Sequence, residues 1–475
     1  MSLANKIFSN TFWQIIIRVV NIIIGVFSLA LITRMLGQAG FGFYTTIFAF
    51  VQIGAILLDL GLYMTLLREV SSAQNQAEEN KVISNIFTIR LLFSVLMLLF
   101  IPTAVYFFPY DGAVKLGVLY FMGTFFFQSL ITTLSAVFSK KLAMPKVAIV
   151  DLVNKIFYLS FLIYFFFSST SLNKILWANT LTTAVAFLVM LLFLRQYNKL
   201  TLAWDWPYWR IVFHRTWPLA LTVVLNLLYF KADTLILSIY HRPEAVGLYG
   251  APYRVLEVIA TFPHMFMSLI LPFFTLYFIG QKSKELNQVF QHSFDFFSII
   301  SAIMIASVFL ISSPLMILLA GEEFALSGPL LNILILATVG IFFGTLFTYL
   351  IVAINAQKQM IKYFLTVAII GIIGYFIFIP AYSYWGAAYM TLLVEWLLVF
   401  FAYLVAKKNV ALKINFKVLF KSILAALVSF SLLSFLSINL VVKLSALVFV
   451  YFLILYFLKT VSRSDLRQIF LAKEK

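Results

Sequence analysis

Charged side chains inside apolar segments are the residues of this sequence that could do chemistry. Five basic and six acidic residues lie within apolar runs or at their edges. They are Arg18, Arg90, Lys155, Lys231 and Arg254, together with Asp59, Asp151, Asp233, Glu257, Asp295 and Glu395. A charge at the centre of a membrane helix costs about 2.5–3.5 kcal/mol on insertion scales, so such groups should face a lumen or a partner. Basic groups in that setting suit an anionic ligand, and carboxylates suit a cation or a proton.

The composition places these charges in a membrane protein. Of the 475 residues, 63% are hydrophobic and 11% are charged, whereas soluble proteins are about 45–50% apolar and about 25% charged. So few charges could not cover the surface of a soluble globule of this size, and disorder requires the opposite composition. The chain has no cysteine, which excludes disulfides and thiolate metal sites. We expect no metal site and no bound cofactor.

Apolar runs separated by charged or turn-rich gaps predict fourteen membrane spans of about 20 residues or more. Their approximate ranges are 11–34, 41–67, 83–107, 113–137, 146–168, 174–195, 213–240, 246–277, 291–313, 327–352, 361–380, 384–406, 416–437 and 439–458. The sequence therefore predicts an all-α, polytopic membrane protein.

The distribution of lysine and arginine sets the orientation of these spans. The formal net charge is +17. When the N-terminus is placed in the cytoplasm, 24 basic residues fall in cytoplasmic segments and 5 in outer segments. This bias follows the positive-inside rule, which explains the net positive charge without a nucleic-acid partner. We expect a multi-pass protein of the plasma (inner) membrane with both termini cytoplasmic. The outer gaps are too short to fold as domains.

A weak internal repeat divides the chain. The tetrapeptides FGFY at 41–44 and VGLY at 246–249 each follow one long span and open the next. An offset of six spans preserves orientation, so the repeats should be parallel and related by a pseudo-twofold axis along the membrane normal. We expect Gly42 and Gly247 to permit tight outer turns. The tyrosines of the two tetrapeptides should anchor at the membrane interface.

The repeat predicts three parts of the chain. Residues 1–200 should form an N-terminal six-helix lobe and residues 201–410 a C-terminal six-helix lobe. Residues 411–475 should add two transmembrane helices and a basic cytoplasmic tail. A G-x-x-x-G at Gly340 and Gly344 predicts close helix packing in the second lobe.

An ordered set of segments carries a family resemblance. The segments are LGQAGFGFYTTIFAFVQIGAILLDLGL (36–62), KADTLILSIYHRPEAVGLYGAPYRV (231–255), PHMFMSLILPFF (263–274) and IPAYSYWGAAYMTLLVEW (379–396). With the fourteen spans, the chain resembles the polysaccharide-transporter branch of the multidrug/oligosaccharidyl-lipid/polysaccharide exporters. The resemblance implies a flippase that moves a polyprenyl-diphosphate-linked oligosaccharide, such as an O-antigen unit, to the outer leaflet. It also implies alternating access of two lobes, driven by a sodium or proton gradient.

A cationic cluster is expected on the cytoplasmic side of the first lobe. Arg18, Asp59 and Arg90 all lie roughly 9–12 Å deep at 1.5 Å per residue. Arginine can hold phosphate oxygens in two places at once, so the cluster could bind the diphosphate of the lipid. The alternative is a structural pair between Asp59 and one arginine. Lys155 could add to the cationic site, or could pair with Asp151 four residues before it on the same helix.

The second set lies nearer the outer side. Arg254 and Glu257 are three residues apart and should form a pair, although Arg254 could also contribute to diphosphate binding. Lys231 and Asp233 should point to different faces, one toward a lumen and one toward a neighbouring helix. Asp59, Asp233, Glu257 and Glu395 are the candidates for ion coupling or salt bridges. Glu395 is a candidate protonation site because it lies near the midplane without a local partner.

Three other functions are alternatives to the oligosaccharide flippase. A drug or cation exporter of the same fold would need acidic lumen groups and would be poorly served by Arg18 and Arg90. A peptidoglycan-precursor flippase is a close relative that the sequence separates poorly. A membrane enzyme is disfavoured by the short loops and by the lack of D-x-D, H-E-x-x-H, G-x-S-x-G and Walker A motifs. Beyond the lipid-linked glycan and the bilayer, we expect a monomer, with a glycan polymerase or glycosyltransferases as candidate partners.

Overall fold

The computed structural model describes residues 3–57, 61–436 and 438–460, and no β-strand occurs among them. Side chains are described throughout these ranges except at 3–15, 56–57, 215 and 217–230. The helices are α1 Leu3–Leu57, α2 Leu62–Ser72, α3 Gln76–Tyr106, α4 Gly112–Lys140, α5 Met144–Phe167, α6 Leu172–Leu194, α7 Trp206–Tyr240, α8 Pro243–Ile279, α9 Ser283–Ala320, α10 Ser327–Ala353, α11 Gln357–Asn409, α12 Lys417–Ser434 and α13 Leu440–Phe457, with a short 3-10 helix at Glu322–Phe324. The predicted all-α fold is confirmed.

Two of these helices are each broken into two spans. Helix α1 changes direction at Gly37, whose φ of 63° is a left-handed value that favours glycine because it has no Cβ. Helix α11 breaks at Ser383, with φ 53° and ψ −136°. After this second break, an added Cβ at Gly386 would lie 2.2 Å from the carbonyl oxygen of Phe378, so a side chain would not fit there. Both breaks fall in gaps that hydropathy predicts.

Every predicted span overlaps helix in the described chain, and the span 41–67 covers the end of α1 and the start of α2, with residues 58–60 outside the described ranges. Among the described residues, eleven helices are long and apolar enough to cross a membrane, and two of them, α1 and α11, each hold two predicted spans or parts of them. Helices α3, α7 and α9 begin at Gln76, Trp206 and Ser283, seven or eight residues before the predicted spans. The difference arises because hydropathy marks the apolar part of a helix, whereas the hydrogen-bonded helix continues through polar residues.

The chain forms two compact units, and the first contains residues 1–250, 319–323 and 375–387. Its core brings together apolar residues of α2, α3, α4 and α6, among them Leu66, Ile86, Leu134 and Met190. Because α1 packs against α5 and α4 in the same unit, polar side chains on these helices can face one another inside the bundle.

The second unit contains residues 251–318, 324–374 and 388–475. Its larger core is rich in phenylalanine, including Phe290, Phe297 and Phe342 from α9 and α10. Helices α12 and α13 pack on α9, where the hydroxyl of Tyr451 donates to the carbonyl oxygen of Ile299 at 2.8 Å. The two extra C-terminal helices are therefore joined to this unit through α9.

The internal repeat is visible in two extended segments. Within the first unit, the backbone N–H groups of residues 201 and 203 donate to Ser84 and Thr88 at 3.1 and 3.0 Å. Within the second, those of residues 413 and 415 donate to Asn287 and Gln291 at 3.1 and 2.9 Å. Two residues of extended chain span about 6.6 Å and four residues of helix about 6 Å, so the two spacings match.

The two repeat glycines contribute close packing, in contrast to the prediction that they permit turns. Both lie in helical backbone, and the left-handed residue before the second span is Gly37. An added Cβ at Gly42 would lie 1.8 Å from the carbonyl oxygen of Pro243, and one at Gly247 would lie 2.2 Å from that of Gln38. Because both pairs are related by the 205-residue offset, the contact is symmetric. We call these four residues the glycine contact.

The repeat tyrosines were also expected to anchor at the membrane interface, but both are buried. Tyr44 packs against the ring of Phe121 at a centroid distance of 6.1 Å, and the hydroxyl of Tyr249 donates to Asp233. Aromatic residues at the predicted outer end of these spans are thus used for packing and hydrogen bonding inside the first unit.

Candidate functional site

A group of polar residues lies between α1 and α5 in the first unit. Arg18 and Asn21 are three residues apart on α1, and Asp151, Asn154 and Lys155 lie within one turn of α5. These spacings place each set on one face of its helix. We call the five residues the polar seam. The sequence places Arg18 and Lys155 on separate helices, and the packing of α1 on α5 brings them together.

The seam is held by charge and by one hydrogen bond. The ammonium of Lys155 donates to the backbone carbonyl oxygen of Asn21 at 2.8 Å. Asp151 interacts electrostatically with both Lys155 and Arg18. The ammonium nitrogen lies 3.9 Å from the position of a Cβ at Gly25, so that glycine leaves room beside it. Two cations and one carboxylate thus share the site, giving a formal charge of +1.

The seam is accessible from its α1 side. The side chain of Arg18 is exposed, whereas Asp151 and Lys155 are half-buried. A guanidinium in this position has five N–H donors in a planar fork that matches phosphate oxygens. The seam can therefore hold an anionic group at Arg18 with Lys155 as a second positive charge.

Arg90 is placed away from the surface of the first unit. Its side chain is buried between α3 and α4, and its Nε donates to the carbonyl oxygen of Ser129 at 3.3 Å. Ser129 also shares a hydrogen bond with Ser94 at 2.7 Å. Asp59, the third member of the expected cluster, lies outside the described residues. The structure thus places Arg18 in the seam with Asp151 and Lys155, and Arg90 in a hydrogen-bonded position between two other helices.

Lys231 and Asp233 are both buried, so neither points to an open surface of the first unit. Asp233 is fully buried and accepts hydrogen bonds from the Tyr249 hydroxyl at 2.6 Å and from the backbone N–H and hydroxyl of Thr234. The ammonium of Lys231 lies 5.9 Å from the ring centroid of Phe48 and interacts electrostatically with Asp233. The expectation that one of the two faces a lumen is not met within this unit.

The second unit holds the expected pair on α8. The Arg254 guanidinium donates to the Glu257 carboxylate at 2.7 Å, and both side chains are half-exposed. The pairing predicted from their spacing is confirmed. A diphosphate at Arg254 would have to share the guanidinium with this carboxylate.

Glu395 lies where α11 crosses α10 in the second unit. Its side chain is 4% exposed, and among the described residues its carboxylate has neither a hydrogen-bond nor an ion-pair partner. A Cβ on Gly340 would lie 3.1 Å from that of Glu395, and one on Gly344 would lie 3.7 Å from Val399. The predicted close packing at the G-x-x-x-G is therefore observed, and it brings α10 directly against this acid.

Sequence reasoning missed several partners of these charged groups. Asn21, Tyr249 and Thr234 were not expected to take part, although Asn21 follows Arg18 by three residues, which is a readable helical signal. A further ion cluster joins Glu79 to Lys140 at 2.7 Å and to Lys141 at 3.0 Å, at the ends of α3 and α4. This cluster depends on contacts between helices distant in sequence, so no local spacing indicates it.

Solved structures with the same fold are transporters. The chain matches one described as the lipid II flippase MurJ in an inward closed conformation, with a TM-score of 0.75 and 13% identity over 95% of this chain and 99% of that one. It matches an inward-facing MATE multidrug transporter of the MOP superfamily with a TM-score of 0.70 and 12% identity, over 83% and 97%. A third match is a MOP-superfamily transporter from Pyrococcus furiosus, with a TM-score of 0.62 and 12% identity, over 86% and 95%.

These identities show a shared fold, and no curated protein matches the sequence significantly. The family comparison reaches further, because the model of the polysaccharide biosynthesis protein family matches residues 7–278, more than half of the chain. The matched region contains the whole polar seam, the glycine contact and Asp233. The chain therefore belongs to the polysaccharide biosynthesis protein family and has the fold of the MOP-superfamily transporters.

Proposed function

We propose that this protein is a flippase that moves a polyprenyl-diphosphate-linked oligosaccharide, the repeat unit of a surface polysaccharide, from the inner to the outer leaflet. The observation that carries the proposal is the polar seam, in which Arg18 and Lys155 meet within the region matched to the polysaccharide biosynthesis family. A transporter of a lipid-linked sugar needs a polar site at membrane depth for the headgroup. We propose that the seam serves as this site, on the predicted cytoplasmic side.

The charges of the seam suit a diphosphate. Arg18 can bind phosphate oxygens with two parallel N–H groups, and Lys155 adds a point charge beside it. Asp151 balances one of these cations when no ligand is present, so the empty site does not hold two unpaired charges in the membrane. Arg90 and Arg254 are proposed as further anion contacts, although Arg90 is buried against Ser129 and Arg254 is paired with Glu257.

Coupling to an ion gradient is the second part of the proposal. Asp233 and Glu395 are the two buried carboxylates among the described candidates, with Glu257 and the undescribed Asp59 as alternatives. Asp233 has Lys231 and several hydrogen-bond donors around it, whereas Glu395 has no such partner among the residues that the structure describes. We propose alternating access of two lobes, residues 1–200 and 201–410, driven by sodium or proton antiport.

The distribution of lysine and arginine supports an orientation with both termini cytoplasmic. We propose a monomer in the plasma (inner) membrane, with a glycan polymerase or glycosyltransferases as partners. Transport without covalent change of the cargo would make the protein a transporter and not an enzyme.

A peptidoglycan-precursor flippase is the second candidate. It is favoured by the likeness to the MurJ structure across 95% of this chain, which at 13% identity concerns the fold. A drug or cation exporter is favoured by the MATE structures in the same way, but two adjacent cations in the seam would repel a cationic drug. A substrate panel therefore separates the three candidates.

The test is lipid transport in proteoliposomes with fluorescent polyprenyl-diphosphate-linked glycans. We expect wild-type protein to move the glycolipid and to respond to an imposed sodium or proton gradient. Arg18→Ala and Arg90→Ala should abolish transport while membrane abundance is unchanged. Lys174→Ala is the matched control, because this exposed lysine at the start of α6 donates to Ser169, outside the seam. Wild-type transport by both arginine variants would contradict the proposed headgroup site, and indifference to both gradients would remove Asp233 and Glu395 as coupling groups.

A further inference from the structure

Two amide oxygens of the polar seam have unused hydrogen-bonding capacity. The side-chain oxygens of Asn21 and Asn154 are buried and accept no hydrogen bond from the described residues. Asn21 is 7% exposed as a whole residue. Buried polar atoms nearly always have a hydrogen-bond partner, because a buried atom without one loses its hydration and gains no bond in return. Two such acceptors in one seam are groups that a ligand bearing hydrogen-bond donors would satisfy.

Both acceptors lie beside the cations. Asn21 follows Arg18 by three residues on α1, and Asn154 directly precedes Lys155 on α5. The Lys155 ammonium is bonded to the backbone oxygen of Asn21 at 2.8 Å, so its charge is within reach of that residue. A group covalently attached to an anion held by Arg18 and Lys155 would therefore lie in the part of the seam that contains Asn21 and Asn154.

The chemistry of the acceptors excludes the phosphates themselves as their partners. A diphosphate at neutral pH presents acceptor oxygens, whereas an amide oxygen needs an O–H or N–H donor. The sugar that is bonded to the diphosphate presents hydroxyl groups, and an acetamido sugar adds an N–H. We propose that Asn21 and Asn154 recognise the first sugar of the lipid-linked glycan by accepting hydrogen bonds from these donors.

This recognition rests on the proposed function and adds specificity to it. The polyprenyl carrier also occurs without a sugar, and Arg18 and Lys155 would bind both forms through their phosphates. The glycosylated form would donate hydrogen bonds to the two amide oxygens, whereas the bare carrier would leave both oxygens without a donor. A site whose buried polar groups remain unpaired with an analogue discriminates against that analogue. Asn21 and Asn154 are therefore assigned as specificity-determining residues.

The test compares binding of two soluble probes to the full-length protein in nanodiscs. The probes are farnesyl diphosphate and farnesyl diphosphate linked to an N-acetylhexosamine. Wild type should prefer the glycosylated probe. Asn21→Leu and Asn154→Leu should each reduce that preference about 3- to 10-fold, the effect of one net hydrogen bond, while the Kd for farnesyl diphosphate stays unchanged.

Asn85→Leu is the matched control. Its side-chain oxygen already accepts a hydrogen bond from the Trp209 indole at 2.9 Å in the same unit. Its replacement should lower the melting temperature without changing the preference between the probes. Because Asn154 is half-buried, Asn154→Leu keeps the test valid if Asn21→Leu does not fold.

The outcomes separate this inference from the proposed function. Folded asparagine variants with the wild-type preference would overturn the inference, and the amides would then hold water. Wild-type protein that binds both probes equally would also overturn it, yet leave the diphosphate site standing. Failure of wild type to bind either probe would overturn the inference and the proposed function together.

Discussion

Replacing Gly42 by alanine should separate α1 from α8 at the glycine contact. The added Cβ would lie 1.8 Å from the carbonyl oxygen of Pro243 and 2.5 Å from its carbonyl carbon. An ordinary carbon–oxygen contact is about 3.3 Å, so the helices must move apart by about 1.5 Å. Since both clashing atoms belong to backbone, no change of rotamer can relieve the strain. Overpacking of this kind costs about 1–3 kcal/mol.

The magnitude is measurable against a matched glycine. An unfolding entropy of about 2.1 cal/mol/K per residue corresponds to about 1 kcal/mol/K for a chain of this length. A net cost of about 2 kcal/mol therefore lowers the melting temperature of Gly42→Ala by about 2 °C. In Gly344→Ala the new Cβ would meet Val399 at 3.7 Å, an ordinary contact. Alanine has a higher helix propensity than glycine by about 1 kcal/mol, so Gly344→Ala should raise the melting temperature by about 1 °C.

Thermal unfolding of the purified variants in detergent measures this difference. Gly247→Ala should resemble Gly42→Ala, because its Cβ would lie 2.2 Å from the carbonyl oxygen of Gln38. The double variant should lose less than the sum of the two, since both alanines open one contact. Equal melting temperatures for Gly42→Ala and Gly344→Ala would refute the conclusion that the glycine contact leaves no room for a side chain between α1 and α8.

Three further predictions concern the buried acids and the outer segments. Tyr249→Phe removes a 2.6 Å hydrogen bond to the buried Asp233, which should lower stability by about 1–3 kcal/mol in the same thermal assay; an unchanged melting temperature would contradict it. Glu395→Gln removes a buried acid that has no hydrogen-bond partner in the described part of the chain, so thermal stability should hold or rise. Transport should also lose its dependence on the ion gradient, and retained dependence would exclude this acid as a coupling group. The Gln38 backbone N–H donates to the Glu323 carboxylate at 3.2 Å, and the chain has no native cysteine. In the double variant Gln38→Cys and Glu323→Cys, a short cleavable crosslinking reagent can join the two positions. Because they belong to the two proposed lobes, residues 1–200 and 201–410, the crosslink should stop transport until it is reduced. Unaffected transport would show that these two segments need not separate.

Topology was largely readable in the sequence. A span must be apolar over about 20 residues, and the gaps carry the charges, so composition along the chain marks the fourteen segments. It also marked the breaks near Gly37 and Ser383, because the chain must reverse where apolar runs stop. The pair Arg254–Glu257 was predictable as well, since residues three apart on a helix are neighbours whatever surrounds them.

The partners of the other charges were not readable, because they depend on which helices touch. Arg18 and Lys155 are 137 residues apart in the chain and meet through the contact of α1 with α5. Asp233 accepts a hydrogen bond from Tyr249 on the next helix, whereas the sequence indicated that this tyrosine anchors at the membrane interface.

The sequence by itself determined that this is a helical membrane protein with repeated spans and charges inside them. Hydropathy and charge act locally, through the transfer of each segment into the bilayer, and both can be read along the chain. Only the tertiary structure decided that Gly42 and Gly247 form a contact between helices and that Arg90 is buried against Ser129. It also decided that two amide oxygens of the seam accept no hydrogen bond from the described residues. Those outcomes depend on distances between backbones, which one-dimensional patterns do not encode.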